Sequence, residues 1–179
     1  MIELSGFVEL DKARHNRKTF DCGEPELNEF LSRHAFRHME ASISKSMVLP
    51  EDARDESDMQ RICAFYTVSI TEIDPTVLPK KQRKRLPPRS VPVYILAELA
   101  VNLEYKGQGL GGITLYAALN QIYHAHLNMP GLAVVVDCLN DEAERFYKHY
   151  GFVDLCEEAG RKRLILPMGT VEELCRPSI

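Results

Sequence analysis

Residues 93–138 constrain the fold more than any other stretch. They read VYILAELAV, then NLEYKGQGLGG, then a helical pattern, and finally GLAVVVDC. A strand, a glycine-rich turn, a helix and a second strand make one crossover, right-handed and joining two parallel strands of the same sheet. The second strand is a short continuous β-branched run, the mark of a strand covered on both faces. Between the strands, Leu115, Ala118, Leu119, Ile122 and Ala125 share one apolar helix face, and the Asn-Met-Pro-Gly at 128–131 stops that helix.

The flanks supply the rest of the sheet. In DCGEPELNEFLSRHAFRHME, residues Leu27, Phe30, Leu31, His34, Ala35 and His38 recur at helical spacing, which predicts one amphipathic helix with Pro25 near its start. KSMVLP and RICAFYTVSI predict strands, the second alternating Ile62, Ala64, Tyr66, Val68 and Ile70 against Cys63, Phe65, Thr67 and Ser69. The acid-rich EDARDESDM between them predicts an exposed hairpin loop. Downstream, NDEAERFYKHYG predicts a helix in which Asp141 and Glu144 form a capping box. Ala143, Phe146, Tyr147 and Tyr150 share a face of it, and Gly151 ends it. GFVDL and KRLIL predict the last strands. The fold class is α/β with a mixed sheet, and 179 residues suit a single domain, 1–179.

The turn itself raises a chemical question, because Gly107, Gly109, Gly111 and Gly112 stand where a helix begins. First-turn N–H groups have no helical partner and the helix dipole is positive there, so a glycine-rich entry reads either as a phosphate site or as a tight structural turn. Two nucleotide motifs do not fit. GQGLGG lacks the GxGxxG spacing, no GK[ST] follows, and Asp137 lies 30 residues past Gly107, beyond the usual dinucleotide-binding interval.

Taken with its surroundings, the stretch LAELAVNLEYKGQGLGGITLYAAL, followed by NDEAERFYKHYGF, resembles the GNAT superfamily of acetyl-CoA-dependent N-acyltransferases. The superfamily signature [QR]-x-x-G-x-[GA] falls on Lys106, Gly107, Gln108, Gly109, Leu110 and Gly111, with Lys106 in place of the usual Arg or Gln. The resemblance implies a mixed central sheet whose two parallel strands splay apart, and acetyl-CoA (coenzyme A) as the donor. Backbone groups of Leu99, Ala100 and Val101 would take the pantetheine arm, and the N–H groups of Gln108 to Gly112 the diphosphate. Asn140, Ala143, Phe146 and Tyr147 would close over the arm. Tyr147 matches the position of the superfamily's general acid, although a tyrosine on an apolar helix face is also ordinary core. Glu98 has two readings, a general base or an ion pair with the bases of 80–89. Tyr105 and Tyr150 read as packing.

A second resemblance concerns the acceptor. FDCGEPELNEFLSRHA, LPKKQRKRLPPRSVPVYILAELAV and ERFYKHYGF together look like the TacT-like toxins, GNAT enzymes of type II toxin–antitoxin modules that acetylate the α-amine of aminoacyl-tRNA and halt translation. Such toxins act with a ribbon–helix–helix antitoxin, and the likeness is compatible with a homodimer. Here Glu98 stands where these toxins often carry a base. The residues give partial support. Net charge is −4, so any RNA contact needs a local patch, and Lys80, Lys81, Arg83, Lys84 and Arg85, between Pro79 and Pro87, with Arg89 just beyond, supply one. A solvated basic loop, an acetyltransferase for a small amine or a protein lysine or N-terminus, and a CoA-binding regulatory subunit remain the competing readings.

Five cysteines without CxxC spacing argue against a disulfide framework, and no metal set is expected among the six histidines. With no signal-like start and no apolar run long enough to span a bilayer, the expected location is the cytoplasm.

Overall fold

The structure, a computed structural model, describes residues 6–177. They gather into two compact units, one of residues up to Ser69 with Ala97–Leu119, the other of Ile70–Leu96 with Asn120 onward.

The first unit opens with two short strands, β1 (Val8–Glu9) and β2 (His15–Asn16). The predicted helix follows, but in three pieces: α1 (Pro25–Glu29), a π-helical turn (Phe30–His34) and α2 (Ala35–Glu40). The wide turn, closed by Ala35 N–H on Phe30 O, leaves Leu31 and Ala35 both fully buried. With Leu10, Phe20, Val48, Ile62, Phe65 and Ala100 they form this unit's core.

Next come β3 (Lys45–Arg54) and β4 (Gln60–Ile73), antiparallel from Lys45↔Val68 to Arg54↔Gln60. The hairpin loop predicted for EDARDESDM is therefore half strand. Only its second part turns, around Asp55, whose Oδ1 accepts the N–H groups of Ser57 at 2.9 Å and Met59 at 3.2 Å. Those bonds, the Ser57 hydroxyl above all, push the Asp55 carboxyl down to about 2.

A short helix, α3 (Lys80–Arg83), precedes β5 (Val91–Val101); α4 (Leu110–Asn128) follows the glycines. β4, β5 and α4 each run from one unit into the other. On α4, Leu115, Ala118, Leu119 and Ile122 are buried as expected, but Ala125 is exposed because the last turns of the helix lie open to solvent.

The second unit adds β6 (Ala133–Asp137), α5 (Asp141–His149), β7 (Val153–Glu158), β8 (Arg161–Pro167) and a terminal helix, α6 (Met168–Cys175), that the sequence analysis did not foresee. Its core holds Ile73, Leu78, Val91, Val93, Ala133, Val135 and Ile165. Strand order is β1-β3-β4-β5-β6-β8-β7, with β2 on β4. The sheet is mixed, since β5 and β6 are parallel while β6–β8 and β7–β8 are antiparallel. Among the described residues no helix is long and apolar enough to cross a membrane. Nor do three or more His, Cys, Asp or Glu side chains gather there as metal ligands, although His34 and His38 stand at i, i+4 spacing.

His15 yields a prediction about the fold. It is 1 % exposed, its Nδ1 accepts the Asp11 N–H at 2.9 Å, and its buried Nε2 has no partner. Burial, reinforced by Arg14, holds its pKa below the ordinary 6.5. The folded state thus binds fewer protons than the unfolded chain just below pH 6.5, and stability falls as pH falls through that range. The slope for one group cannot exceed about 1.4 kcal/mol per pH unit. Urea midpoints at pH 7.5 and 5.5 should show the fall in the parent and a flatter profile in His15→Gln.

Candidate active site

The parallel ladder of β5 and β6 is short, Tyr94↔Val134 and Ile95↔Val135, and β5 continues past it to Val101. This is the splay. Beyond it Ala100 is buried in the first unit's core, while Glu98, Leu99 and Val101 are half-buried.

Asn102, 4 % exposed, ends the strand. Its N–H donates to Cys63 O at 2.8 Å, and its Oδ1 caps a 3₁₀ turn (Leu103–Tyr105) by accepting the Glu104 N–H at 3.1 Å. Lys106 to Gly109 then lie exposed. Gly107 and Gly109 sit at φ +77° and +78°, where an L side chain is strained. A Cβ built at either would meet no protein atom within 4 Å. Internal packing therefore does not demand glycine here; the backbone conformation does, and the space in front of it is open. Gly111 and Gly112 lie inside the first turn of α4. The i→i−4 ladder of the helix begins with Ile113 N–H on Gly109 O at 3.3 Å, so the N–H groups of Leu110, Gly111 and Gly112 precede it. A loop of glycines feeding three unladdered amides at the positive end of a long helix suits a diphosphate.

In the second unit, Asn140 rather than Asp141 caps α5, with its Oδ1 accepting the Ala143 N–H at 2.9 Å. The expected Asp141–Glu144 box is not made. Glu144 turns instead to Lys148 at 2.8 Å and Lys162 at 3.1 Å, and both bonds hold its carboxyl below the usual range. Ala143 and Phe146 are half-buried, and Tyr147 is 7 % exposed. The Tyr147 ring stands edge-on to Phe146 at 5.2 Å and to Phe152 at 5.3 Å. Gly151, at φ +96°, closes α5 as foreseen, and Phe152 N–H returns to Tyr147 O at 3.2 Å. Tyr150 is 40 % exposed, so it is a surface ring against Phe146 rather than core. Near the end of β6, Asp137 holds the buried Arg163 through two bonds of 2.6 and 2.8 Å.

The basic segment is exposed except for the half-buried Arg83, which donates to Thr76 O at 3.3 Å. Only Lys80–Arg83 are helical; Lys84 and Arg85 turn, with Leu86 N–H on Arg83 O at 3.0 Å, and Pro87 and Pro88 prevent the helix from continuing. The sequence analysis gave no role to Asn102, Glu51, Arg61 or Glu104, which surround the turn from other elements. Their juxtaposition has no local signal.

A mixed sheet with a splayed parallel pair and a glycine turn entering the following helix is the architecture of a GNAT acyltransferase. No family model matches the chain. It is 30% identical over 134 residues, 75% of its length and 76% of the relative's, to the tRNA-acetylating toxin of Mycobacterium tuberculosis. It superposes on AtaT complexed with acetyl-methionyl-tRNAfMet with a TM-score of 0.83 and 28% identity, covering 94% of this chain and 97% of that one. A tyrosine-to-phenylalanine variant of AtaT bound to the C-terminus of the antitoxin AtaR and acetyl-CoA gives 0.78 and 26%, over 96% and 98%. The chain belongs to the family of tRNA-acetylating toxins.

Proposed function

We propose that this chain is an acetyl-CoA-dependent N-acetyltransferase that acetylates the α-amine of aminoacyl-tRNA and thereby blocks translation. It acts in the cytoplasm as the toxin of a type II pair whose antitoxin is a ribbon–helix–helix protein, and residues 1–179 serve as one GNAT domain. The observation that carries the reading is the near full-length likeness to a toxin solved with acetylated tRNA. The open glycine turn at the start of α4 supports it independently.

When bound, acetyl-CoA supplies an activated acetyl thioester. The amides of Gln108 to Gly112 hold its diphosphate, with Lys106 adding a positive charge, and the backbone of Leu99, Ala100 and Val101 pairs with the pantetheine arm as an added strand would. Asn140, Ala143 and Phe146 line that arm. A backbone N–H near Leu99–Val101 donates to the carbonyl oxygen as negative charge grows on it. Tyr147 gives its hydroxyl proton to the departing sulfur, which a phenol of pKa about 10 can do for a thiol of about 8.5. A free α-amine of pKa about 7.7–8.0 is about a fifth to a third neutral at physiological pH, against about a thousandth for lysine, so the attacking group needs little help from a base. Glu98 is the nearest acid on the strand for that task.

Lys80, Lys81, Arg83, Lys84, Arg85 and Arg89 bind tRNA phosphates without reading sequence. Incubation with labelled acetyl-CoA and a pool of charged tRNAs tests the activity, with label expected on the α-amine. Changing Lys80, Lys81, Lys84 and Arg85 to Gln should raise KM for charged tRNA about tenfold or more and reduce its salt dependence, while KM for acetyl-CoA stays put. An unchanged KM and salt response would remove the segment from the RNA site and favour a small amine or a protein acceptor.

A further inference from the structure

Four side chains beside the glycine turn have no part in the chemistry above. Tyr105 donates its hydroxyl to Glu51 Oε1 at 2.5 Å. Arg61 reaches that same oxygen at 3.6 Å and Glu104 Oε1 at 2.8 Å. Glu51 comes from β3 and Arg61 from β4, whereas Glu104 and Tyr105 belong to the 3₁₀ turn that runs directly into Lys106. Hydrogen bonding to a carboxylate keeps the Tyr105 phenol protonated far above its usual range, and Arg61 keeps Glu104 below the usual carboxylate range. Both links are therefore made at neutral pH.

Backbone bonds fix the same turn from further directions, through Asn102 to Cys63 and through Leu103 N–H to Asp21 O at 2.9 Å. On the far side of the glycines, Leu110 is 1 % exposed, and its carbonyl accepts the Thr114 hydroxyl at 2.7 Å. The exposed stretch Lys106–Gly109 is thus suspended between two fixed ends.

We propose that Tyr105, Glu51 and Arg61 are positioning residues that hold the entry of the glycine turn, so that the amides following it are already aimed at the diphosphate. The inference rests on the acetyl-CoA reading and deepens it. Glycine loses more backbone freedom on ordering than any other residue, and fixing both ends of a glycine loop beforehand lowers what the ligand must supply. Arg61 has a second effect. It offsets the two carboxylates, Glu51 and Glu104, that stand close to where a polyanion is to arrive. Stability gives a weak reason for such a network, because Glu104 is exposed and ion pairs of this kind contribute little to folding.

The test compares two donors at saturating charged tRNA: acetyl-CoA, and acetyl-pantetheine, which lacks the diphosphate. The parent protein should strongly prefer acetyl-CoA. Tyr105→Phe and Glu51→Ala should each raise KM for acetyl-CoA about tenfold, leaving kcat and the KM for acetyl-pantetheine within about twofold. Glu51→Gln keeps an oxygen that accepts the Tyr105 hydroxyl and should remain near the parent. An unchanged acetyl-CoA KM in Tyr105→Phe overturns the proposal. So does an equal loss with both donors, the pattern of general destabilisation. A parent protein indifferent to the diphosphate would overturn the cradle itself, and the positioning role with it.

Discussion

Replacing Tyr147 by Phe is expected to lower kcat about 100-fold or more while acetyl-CoA continues to bind. A positioned general acid contributes on the order of 10²–10⁴ in rate, and no other hydroxyl is assigned to the sulfur. The substitution keeps the ring that packs on Phe146 and Phe152, so the helix should remain in place. Isothermal titration should give a dissociation constant for acetyl-CoA within about twofold of the parent, since proton donation to the departing sulfur stabilises the transition state rather than the bound thioester. Undiminished turnover would return Tyr147 to the role of a core side chain, which its 7 % exposure also permits.

Gly109→Val should weaken acetyl-CoA binding about 100-fold. Two effects add. A β-branched residue at φ +78° is strained by about 1–3 kcal/mol, which the loop relieves by leaving the conformation that aims its amides. Its side chain also enters the open space where the diphosphate is to lie. Gly160 provides the control. It too sits at φ +78° with nothing within 4 Å of a Cβ, but in the turn between β7 and β8. Gly160→Val should show similar strain in its melting temperature and unaltered acetyl-CoA affinity. Equal binding losses in both variants would mean that strain alone, and no ligand, explains the glycine at 109.

The crossover was legible because its signals are local: a continuous β-branched run, an apolar helix face and a cluster of glycines. So was Gly151, whose positive φ follows from its place after a helix. What escaped notice depends on partners distant in sequence. Hydrophobic spacing cannot distinguish a π-helical turn from an α-helical one, because Leu31 and Ala35 stay four residues apart either way. Asn140 and Asp141 are both good caps; Asn140 takes the role, and Glu144 pairs instead with Lys148 and with Lys162 of β8, the second of which no local pattern shows. Strand β3 continues through its acidic residues to Arg54, where pairing with Gln60 resumes after a register shift, an irregularity that depends on β4 and not on local propensity. Tyr105 read as packing because its partner Glu51 lies 54 residues away. Among the proposed catalytic and binding residues, the glycine turn could be argued from physics, but Tyr147 could be singled out only through a family resemblance. A buried tyrosine on a helix announces no chemistry by itself.

The bases between Pro79 and Pro87, a stretch with no acid of its own and exposed save at Arg83, belong to a protein whose formal charge is −4. Such a body acts as a compass needle toward an approaching polyanion. On the proposed function, long-range repulsion would turn the nucleic acid away from the acidic surface and this short stretch would draw it in, so that encounters would be oriented before contact. At higher ionic strength this guidance fades, and with it the rate of productive collisions rather than the chemistry that follows them.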